Sequence, residues 1–314
     1  MARFPLMISE IFVKKEITFG VDPVATGSNV IRVIEPEWTP IVNMQPQDYN
    51  SSSFDPFPEI AGFRHATIAF KTILTGAAAA STSPRWSELF EACGVLETVA
   101  ADVQFSPLTH AIPSVTVSFE RKDTATTSKR VTLVGCIGTA KFVGEVGGRV
   151  IVEWEFTGGL VTHTDETQIG ALVFDDTQPV AFQGAIITVG GVVQQLKTFE
   201  FDLNNDIQPL FDPAKANGVL GGVLVGKDPT LQIDPLDVLV ATYDYYGKWI
   251  AETLEAGQIL YGVVSGRRHT FDFPKLQIRS VAPGSREGFA VPTIIYSPKW
   301  NAAAADDFFN LTQD

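Results

Sequence analysis

The sequence of 314 residues has few of the side chains that most often carry chemistry, with two cysteines, four histidines and three methionines. Cys93 and Cys136 are too few for a disulfide framework, and their spacing fits no metal-binding pair. No run of about 18 apolar residues occurs, so the sequence predicts no membrane-spanning helix. Residues 1–15 lack the unbroken apolar core of a signal peptide, which indicates synthesis in a reducing cytoplasm.

Positive charge is also scarce. The chain has 23 Lys and Arg residues against 36 Asp and Glu residues, which gives a net charge of −13. A surface that binds nucleic acid through its phosphates needs the opposite balance. The composition therefore argues against a DNA-binding protein, and the acidic excess is larger in the second half of the chain than in the first.

The motifs nearest to a catalytic or binding signature each lack an essential residue. Residues 221–227, GGVLVGK, begin like a phosphate-binding loop, but Asp228 stands where a magnesium-binding Ser or Thr is needed. Residues 202–207, DLNNDI, begin like a calcium loop, but Ile207 replaces the required glycine. His163 lies near two carboxylates in a spacing that matches no zinc pattern. The sequence predicts no catalytic residue, no cofactor, no metal site and no enzyme activity.

What the sequence has in abundance is alternation of apolar and polar residues, rich in Val, Ile, Thr and Phe and bounded by turn residues. This pattern predicts a mainly β protein with a few short helices, in which closely spaced antiparallel strands form sandwiches or barrels. The clearest predicted strands are 114–119, 130–135, 149–156, 185–189 and 198–203, and a glycine-rich hairpin turn is predicted at 144–149.

Two segments predict helices. In residues 83–94, SPRWSELFEACG, Ser83 can cap the start and Gly94 can adopt the left-handed conformation that ends a helix. Residues 234–257 predict a longer helix, because Asp234 can cap it and apolar residues recur on one side.

Two further segments have no periodicity. Residues 43–62 contain three prolines and three consecutive serines, and a loop of this length within a domain is usually functional or an interaction arm. The last residues, from Lys299, contain an alanine run and predict an arm or a frayed tail.

Several motifs resemble those of the tail tube proteins of long-tailed, siphovirus-type bacteriophages. KKEITFGVDPVATGSNVIRV, at 14–33, is similar to the start of many of these proteins. The resemblance continues in the same order through most of the chain. It includes GFRHATIAFKTILTG (62–76), LFEACG (89–94), LVGCIGTAKFVGEVGGRVIVEWEFTG (133–158) and VLVGKDPTLQIDPLDVLVATYDYYGKW (223–249).

The resemblance implies a β-sandwich or barrel subunit with a flanking helix. The chain length and the repeated order of elements predict two tandem domains of this tail-tube type, at 1–161 and 177–314, with a linker at 162–176 and a C-terminal arm. It implies a structural subunit of the virion tail that self-assembles into stacked rings, forming the tube through which DNA is ejected. DNA would pass through the lumen without specific binding. The implied partners are further copies of the chain, a tape measure protein, and tail terminator or tip proteins. Composition alone equally permits a non-enzymatic β-sandwich binding or decoration protein of a virion.

The order of elements in the two halves is similar, which predicts a duplicated unit. GFRHATIAFKTI, the helix SPRWSELFEACG and SVTVSF in the first half match KDPTLQI, the helix PLDVLVATYDYY and HTFDFPKLQIRS in the second. Chance agreement between two small β domains is the alternative.

The resemblance also implies a ring built from six such domains, as is typical of these tubes. If each chain supplies two of them, three chains form a ring with pseudo-sixfold symmetry. A hexamer in which the second half decorates the outside is the other possibility. We expect the acidic excess to line the lumen. We expect the loop at 43–62 to contact the next ring through its aromatic residues Tyr49, Phe54 and Phe57.

Overall fold

The computed structural model describes residues 8–50, 53–122, 126–301 and 306–314. The N-terminal half contains β1 (Ser9–Lys15), β2 (Val30–Ile31), β3 (Ile34–Gln45), β4 (Ile60–Ile73), β5 (Val95–Val99), β6 (Val103–Pro107), β7 (Val115–Lys122), β8 (Thr127–Glu145) and β9 (Ile151–Thr167). The C-terminal half contains β10 (Ile186–Val189), β11 (Val192–Val193), β12 (Leu196–Asp202), β13 (Asn205–Phe211), β14 (Val219–Lys227), β15 (Thr230–Pro235), β16 (Leu254–Tyr261), β17 (His269–Ala282), β18 (Ser285–Arg286), β19 (Phe289–Ala290), β20 (Thr293–Pro298) and β21 (Asn310–Gln313). A 3-10 turn spans Gly27–Asn29, and two short helices, α1 (Ser87–Glu91) and α2 (Tyr245–Ile250), complete the fold.

The prediction of a mainly β fold with a few short helices is confirmed, and the strands pair antiparallel. The five predicted strands coincide with β7, β8, β9, β10 and β12, apart from their ends. The predicted glycine-rich turn connects β8 to β9. Within the described residues, neither helix is long and apolar enough to cross a membrane.

The two halves have the same strand order. In the N-terminal half the sheet runs β2-β1-β7-β8-β9-β4-β3. In the C-terminal half it runs β11-β10-β16-β17-β20-β15-β12. The counterparts also follow one another identically along the chain, and α1 and α2 occupy the same place. The strand SVTVSF, which is β7, thus corresponds to β16 and not to β17, so the predicted match to HTFDFPKLQIRS is wrong by one strand.

The halves are joined in one continuous sheet. β12 pairs with the last residues of β8, beyond the point where β7 ends. β21 lies between β17 of the C-terminal half and β6 of the N-terminal half. The described end of the chain is therefore an arm that ties the two halves together, and not a frayed tail.

Aromatic side chains from both halves share one hydrophobic core. Phe90 of α1 contacts Phe105, Phe142 and Phe309, with ring centroids 5.5, 5.3 and 6.2 Å away. Phe201 of the C-terminal half in turn contacts Phe142 and Phe309. Because these rings are buried, packing of aromatic groups stabilises the contact between the halves.

Helix α1 confirms the prediction for residues 83–94 in its central part. Leu89, Phe90 and Cys93 are fully buried, and Gly94 ends the helical segment with a φ of +75°. The helix begins at Ser87, so Ser83 does not cap it.

The longer helix predicted for residues 234–257 is wrong. Asp234 and Pro235 end strand β15, and the Asp234 carboxylate accepts hydrogen bonds from the backbone N–H groups of Lys197 and Thr198 on the neighbouring strand. The side chain that suggested a helix cap is thus used across the sheet. The helix that does form, α2, is capped by Asp244, whose Oδ1 accepts from Gly247 N at 2.8 Å.

Several predicted irregular segments are shorter than expected. Residues 43–45 and 60–62 belong to β3 and β4, which leaves residues 46–59 as the loop between them. β9 continues through Thr167, so the segment predicted as a linker begins as a strand. Residues 1–7 of the N-terminal segment, 51–52 of the loop and 302–305 of the predicted arm lie outside the described residues. The division into two domains remains a prediction.

Candidate assembly surfaces

Each half carries one long hairpin. The N-hairpin, residues 34–73, consists of β3, β4 and their connecting loop. The C-hairpin, residues 196–235, runs from β12 through the β13–β14 ribbon to β15. The two are equally long, and each has a register shift directly after its first residue pair, at Ile34 and at Leu196. A short helix follows each hairpin, so the two are counterparts in the repeated strand order.

The base of the C-hairpin docks on the N-terminal half by sheet extension. Phe201 of β12 pairs with Phe142 of β8, and Leu203 N donates to Ala140 O at 3.1 Å. Phe201 and Phe142 are fully buried, so this junction is apolar on its core side. Backbone hydrogen bonds hold the two strands together, and the buried side chains fix their register.

The ribbon of the C-hairpin lies on β8 and β9, and the backbones come into close contact at two glycines. A Cβ added to Gly221 would lie 2.6 Å from the carbonyl oxygen of Gly135, and one added to Gly222 would lie 2.6 Å from that of Thr157. Glycine is required on the ribbon because the backbones themselves are in contact. The two glycines belong to GGVLVGK, so the segment that resembles a phosphate-binding loop is a packing surface.

The end of the ribbon contacts the N-hairpin. Phe211 packs against Phe63 with ring centroids 4.7 Å apart and planes at 62°. The backbone oxygen of Asn217 accepts from Arg64 N at 2.7 Å, and its side-chain amide donates to Leu160 O at 3.1 Å. The C-hairpin is therefore held from its base to its tip.

The buried carboxylate of Glu16 organises the backbone beneath this ribbon. Its Oε1 accepts from Gly135 N at 2.7 Å and from the Thr116 hydroxyl at 2.8 Å. Its Oε2 accepts from Gly20 N at 2.7 Å and from the Ser114 hydroxyl at 2.5 Å. Gly20 and Gly135 both lie against the ribbon, so one carboxylate positions two of its contact points. This role was not visible in the sequence, where Glu16 is one acidic residue directly after β1.

The opposite end of the ribbon is held by Lys227, the last residue of GGVLVGK. Its Nζ donates to the carbonyl oxygens of Gly94 and Leu108 at 2.6 and 3.0 Å. Burial lowers the pKa of Lys227 to about 8, with nearby Asp306 acting in the opposite direction. The lysine therefore connects the C-hairpin to the end of α1 and does not face an open phosphate site.

The N-hairpin has an open strand edge and apolar side chains that are exposed to solvent. Among the described residues, β3 pairs only with β4, so its other edge is open. A run of exposed apolar residues continues from the strands into the loop, and an exposed patch of this kind marks an interaction site. The exposed residues are Ile41, Val42, Met44, Tyr49, Phe54, Phe57 and Ile60.

The structure brings together two of the three aromatic residues predicted to contact the next ring. Tyr49 and Phe57 pack edge to face across the loop, with ring centroids 5.6 Å apart. Phe54 lies between them in the chain and is fully exposed. The loop thus presents a paired aromatic unit and a separate, isolated ring.

The outward face of the sheet around the junction is acidic. Five carboxylates and two lysines line one shallow depression, which spans β3, β4, β9, β8 and the end of β12. Glu35 and Glu153 each lie 3.3 Å from the Lys71 ammonium and raise its pKa. The charged residues of the depression are Glu35, Glu37, Lys71, Lys141, Glu153, Glu155 and Asp202.

The remaining candidates from the sequence have structural contacts. His163 lies in β9 and packs against Trp38, with ring centroids 5.2 Å apart and planes at 57°. Cys93 and Cys136 are buried free thiols whose pKa values are raised by burial. Over the part of the chain that the structure describes, no group of three His, Cys, Asp or Glu residues is placed to hold a metal ion.

Comparison with known proteins agrees with this architecture. The family model described as phage tail tube protein matches residues 8–288. Comparison with curated protein sequences gave no match. The family match includes both hairpins, the junction between the halves and the helix that follows each hairpin. The chain therefore belongs to the phage tail tube protein family.

Proposed function

We propose that this protein self-assembles into rings that stack into the tail tube, the conduit through which the phage genome is ejected. The observation that carries the proposal is the repeated strand order of a chain that belongs to the tail tube family. Each half of the chain contains a complete sheet with its own hairpin and helix. One half already extends the sheet of the other at β8 and β12. Repeating this junction between chains closes a ring without unpaired strand edges.

Three chains complete the ring in this proposal, because each supplies two similar units and a ring of this family contains six. The alternative is a ring of six chains in which the C-terminal half lies on the outside. Mass measurement of isolated rings separates the two. Three chains of 34.1 kDa support the duplicated arrangement, and six chains contradict it. Negative-stain microscopy of the same sample tests for rings and tubes, and a protein that stays monomeric contradicts the proposed function as a whole.

The acidic depression lies on the face of the sheet that points away from the hydrophobic core. In this proposal, that face lines the lumen. Lys71 and Lys141 are each paired with carboxylates, so the surface keeps a negative excess. A negative wall repels phosphate groups and leaves DNA mobile. We expect Glu153→Lys combined with Glu155→Lys to make the rings retain DNA in a gel-shift assay at low salt. An inner wall that is strongly positive in a ring structure would contradict this assignment.

The loop of the N-hairpin reaches the next ring in this proposal, with Tyr49, Phe54 and Phe57 as anchors. The support is their exposure in the isolated chain, since aromatic residues contribute much of the energy of interfaces. Replacing all three with Ser should leave soluble rings or monomers that do not polymerise. Tube growth at the unmodified rate would remove the loop from the stacking mechanism.

Tape measure and tail terminator or tip proteins are the remaining partners that we propose for the assembled tube. The protein would be made in the cytoplasm of the host bacterium and reside in the virion tail. Electron microscopy of phage particles labelled with an antibody to this chain tests that location, and label elsewhere on the virion would favour a decoration role.

A further inference from the structure

Asn217 is followed by Gly218, and this is the only Asn-Gly sequence in the chain. Asparagine is a thermolabile residue, because the backbone nitrogen of the next residue can attack its side-chain amide carbon. Glycine in the next position favours this attack, since it has no Cβ to hinder the approach and its backbone adopts many conformations. Among the asparagines of the chain, Asn217 therefore has the highest intrinsic reactivity.

The structure places this reactive pair at the tip of the C-hairpin. Asn217 and Gly218 lie between β13 and β14, and Asn217 is only 8% exposed. Its side chain is held at both ends: Nδ2 donates to Leu160 O at 3.1 Å, and Oδ1 accepts from Val219 N at 3.3 Å. These two hydrogen bonds fix the orientation of the amide.

The attacking nitrogen is held as well. Gly218 N donates to Lys215 O at 2.9 Å, and Gly218 O accepts from Asp212 N at 3.0 Å. A Cβ added to Gly218 would lie 3.0 Å from the Cβ of Phe63, so this turn lies directly on the N-hairpin. The attack requires Gly218 N to release its proton and the Asn217 side chain to rotate. The docked tip opposes both movements.

We propose that Asn217 is a deamidation site whose reactivity depends on docking of the C-hairpin. In a chain with the tip docked on Arg64 and Leu160, the amide is preserved. In a chain with the tip undocked, Asn217 is converted to aspartate or isoaspartate, and neither product supports the docked arrangement. The modification thus distinguishes chains with a docked hairpin from chains that remain open.

The reaction needs only water as a co-reactant. Gly218 N loses its proton and forms a bond to Cγ of Asn217, and the Cγ–Nδ2 bond breaks to release ammonia. Water then opens the resulting succinimide ring at one of its two carbonyl groups. Opening at the side-chain carbonyl gives aspartate, and opening at the backbone carbonyl gives isoaspartate, in which the chain continues through the side-chain carbon. Each product carries an additional negative charge.

Either product loses a contact at the tip. Aspartate has no N–H to donate, so Leu160 O would lose its donor and would face a carboxylate oxygen at a buried position. In isoaspartate, the backbone carbonyl that accepts from Arg64 N at 2.7 Å becomes a free carboxylate, and the chain is one carbon longer. Buried backbone groups without partners are unfavourable. The modified tip is therefore less stable in its docked position.

Mass spectrometry of the peptide that contains position 217 measures the extent of deamidation, and chromatography separates the aspartate and isoaspartate forms. The folded chain and the chain unfolded in urea are held in the same mildly alkaline buffer. We expect deamidation to be slower in the folded chain by about tenfold or more, since local opening of the tip must precede the reaction. Equal rates in the two samples would overturn the proposal.

A variant with a weakened tip tests whether docking, and not folding in general, protects the amide. Phe211→Ser removes a half-exposed ring that packs on Phe63, and Phe289→Ser removes a similarly exposed ring from the β18–β19 hairpin. We expect Asn217 to react about threefold faster or more in folded Phe211→Ser than in folded Phe289→Ser, and equally fast in urea. If the two folded variants react at the same rate, the docked tip does not control the reaction.

Hydrogen exchange tests the effect of the modification. The backbone N–H of Arg64 donates to Asn217, whereas that of Val131 lies within the paired strands β7, β8 and β9 and is the control. We expect exchange at Arg64 to be about threefold faster or more in Asn217→Asp than in the unmodified chain, because the tip loses one hydrogen bond, and exchange at Val131 to be unchanged. Unchanged exchange at Arg64 would mean that the product is accommodated, against the proposal. These measurements do not require rings, so this inference and the proposed function can fail independently.

Discussion

Replacing Glu16 with the neutral Gln should strongly destabilise the protein. We expect the loss of stability to be larger than for the same replacement at any other carboxylate that forms no salt bridge. Each oxygen of Glu16 accepts one backbone N–H and one hydroxyl. A glutamine keeps one oxygen and turns an NH₂ group toward the other pair of donors. The hydroxyl of that pair can rotate to accept, but the backbone N–H of Gly20 or Gly135 is left without an acceptor.

The magnitude follows from these changes. A buried donor without an acceptor costs about 1–3 kcal/mol, and the two remaining hydrogen bonds each lose about 1 kcal/mol when the acceptor becomes neutral. Relief of the cost of burying a charge offsets part of this loss. The net destabilisation is therefore about 3 kcal/mol, which lowers the Tm of a chain of this size by roughly 5–10 °C.

Urea unfolding followed by tryptophan fluorescence measures the change in the free energy of unfolding. Glu155→Gln is the matched control, because Glu155 is an exposed carboxylate on β9 and should change stability by less than about 0.5 kcal/mol. Hydrogen exchange should also become faster at Leu220 and Gly221, since Gly20 and Gly135 contact them. If Glu16→Gln is as stable as the control, the carboxylate does not organise this junction.

Three further predictions test other parts of the structure. Gly221→Ala should lower the free energy of unfolding by about 1–3 kcal/mol, because the added Cβ would meet the backbone of Gly135. Gly170→Ala is the control: the added Cβ would have open space, so stability should not change in the same urea unfolding assay. Burial lowers the pKa of His269 from 6.5 to about 4, so between these pH values the unfolded chain gains a proton that the folded chain does not. The free energy of unfolding should therefore be unaffected by His269 above pH 6.5 and should fall by roughly 3 kcal/mol towards pH 4. If His269→Gln does not reduce this dependence of stability on pH, the prediction is wrong. Tyr49→Ser and Phe54→Ser should each leave rings that stack poorly in electron micrographs, because both side chains are exposed in the loop of the N-hairpin. Stacking at the unmodified rate in both variants would contradict a contact of this loop with the next ring.

The sequence was sufficient for those features that depend on local pattern. Alternation along residues 114–119 and 149–156 identified β7 and β9, because strands with one buried face repeat every two residues. The same reasoning failed at residues 234–257, where Asp234 and Pro235 have the residue types of a helix start. Asp234 accepts hydrogen bonds from Lys197 and Thr198, which are distant in the chain, and no local pattern reveals such partners.

The assembly surfaces were only partly predictable for the same reason. The exposure of Tyr49, Phe54 and Phe57 followed from a proline-rich loop without periodicity. The pairing of Tyr49 with Phe57 did not, because it depends on how β3 and β4 align across the hairpin. The glycines of GGVLVGK were visible in the sequence, but their role depends on contact with Gly135, which is distant in the chain.

In the proposed assembly, the junction between the halves of one chain and the contacts between chains have different energetic requirements. Contacts within a chain form at the high effective concentration of linked units, whereas each contact between chains must offset a loss of translational and rotational freedom of at least about 4 kcal/mol. The junction within the chain combines buried aromatic packing of Phe142 with Phe201 and close backbone contact between Gly135 and Gly221. The N-hairpin carries large apolar side chains, and these contribute free energy on burial. In the proposed ring of three chains, two similar units in each chain halve the number of contacts that must form between molecules.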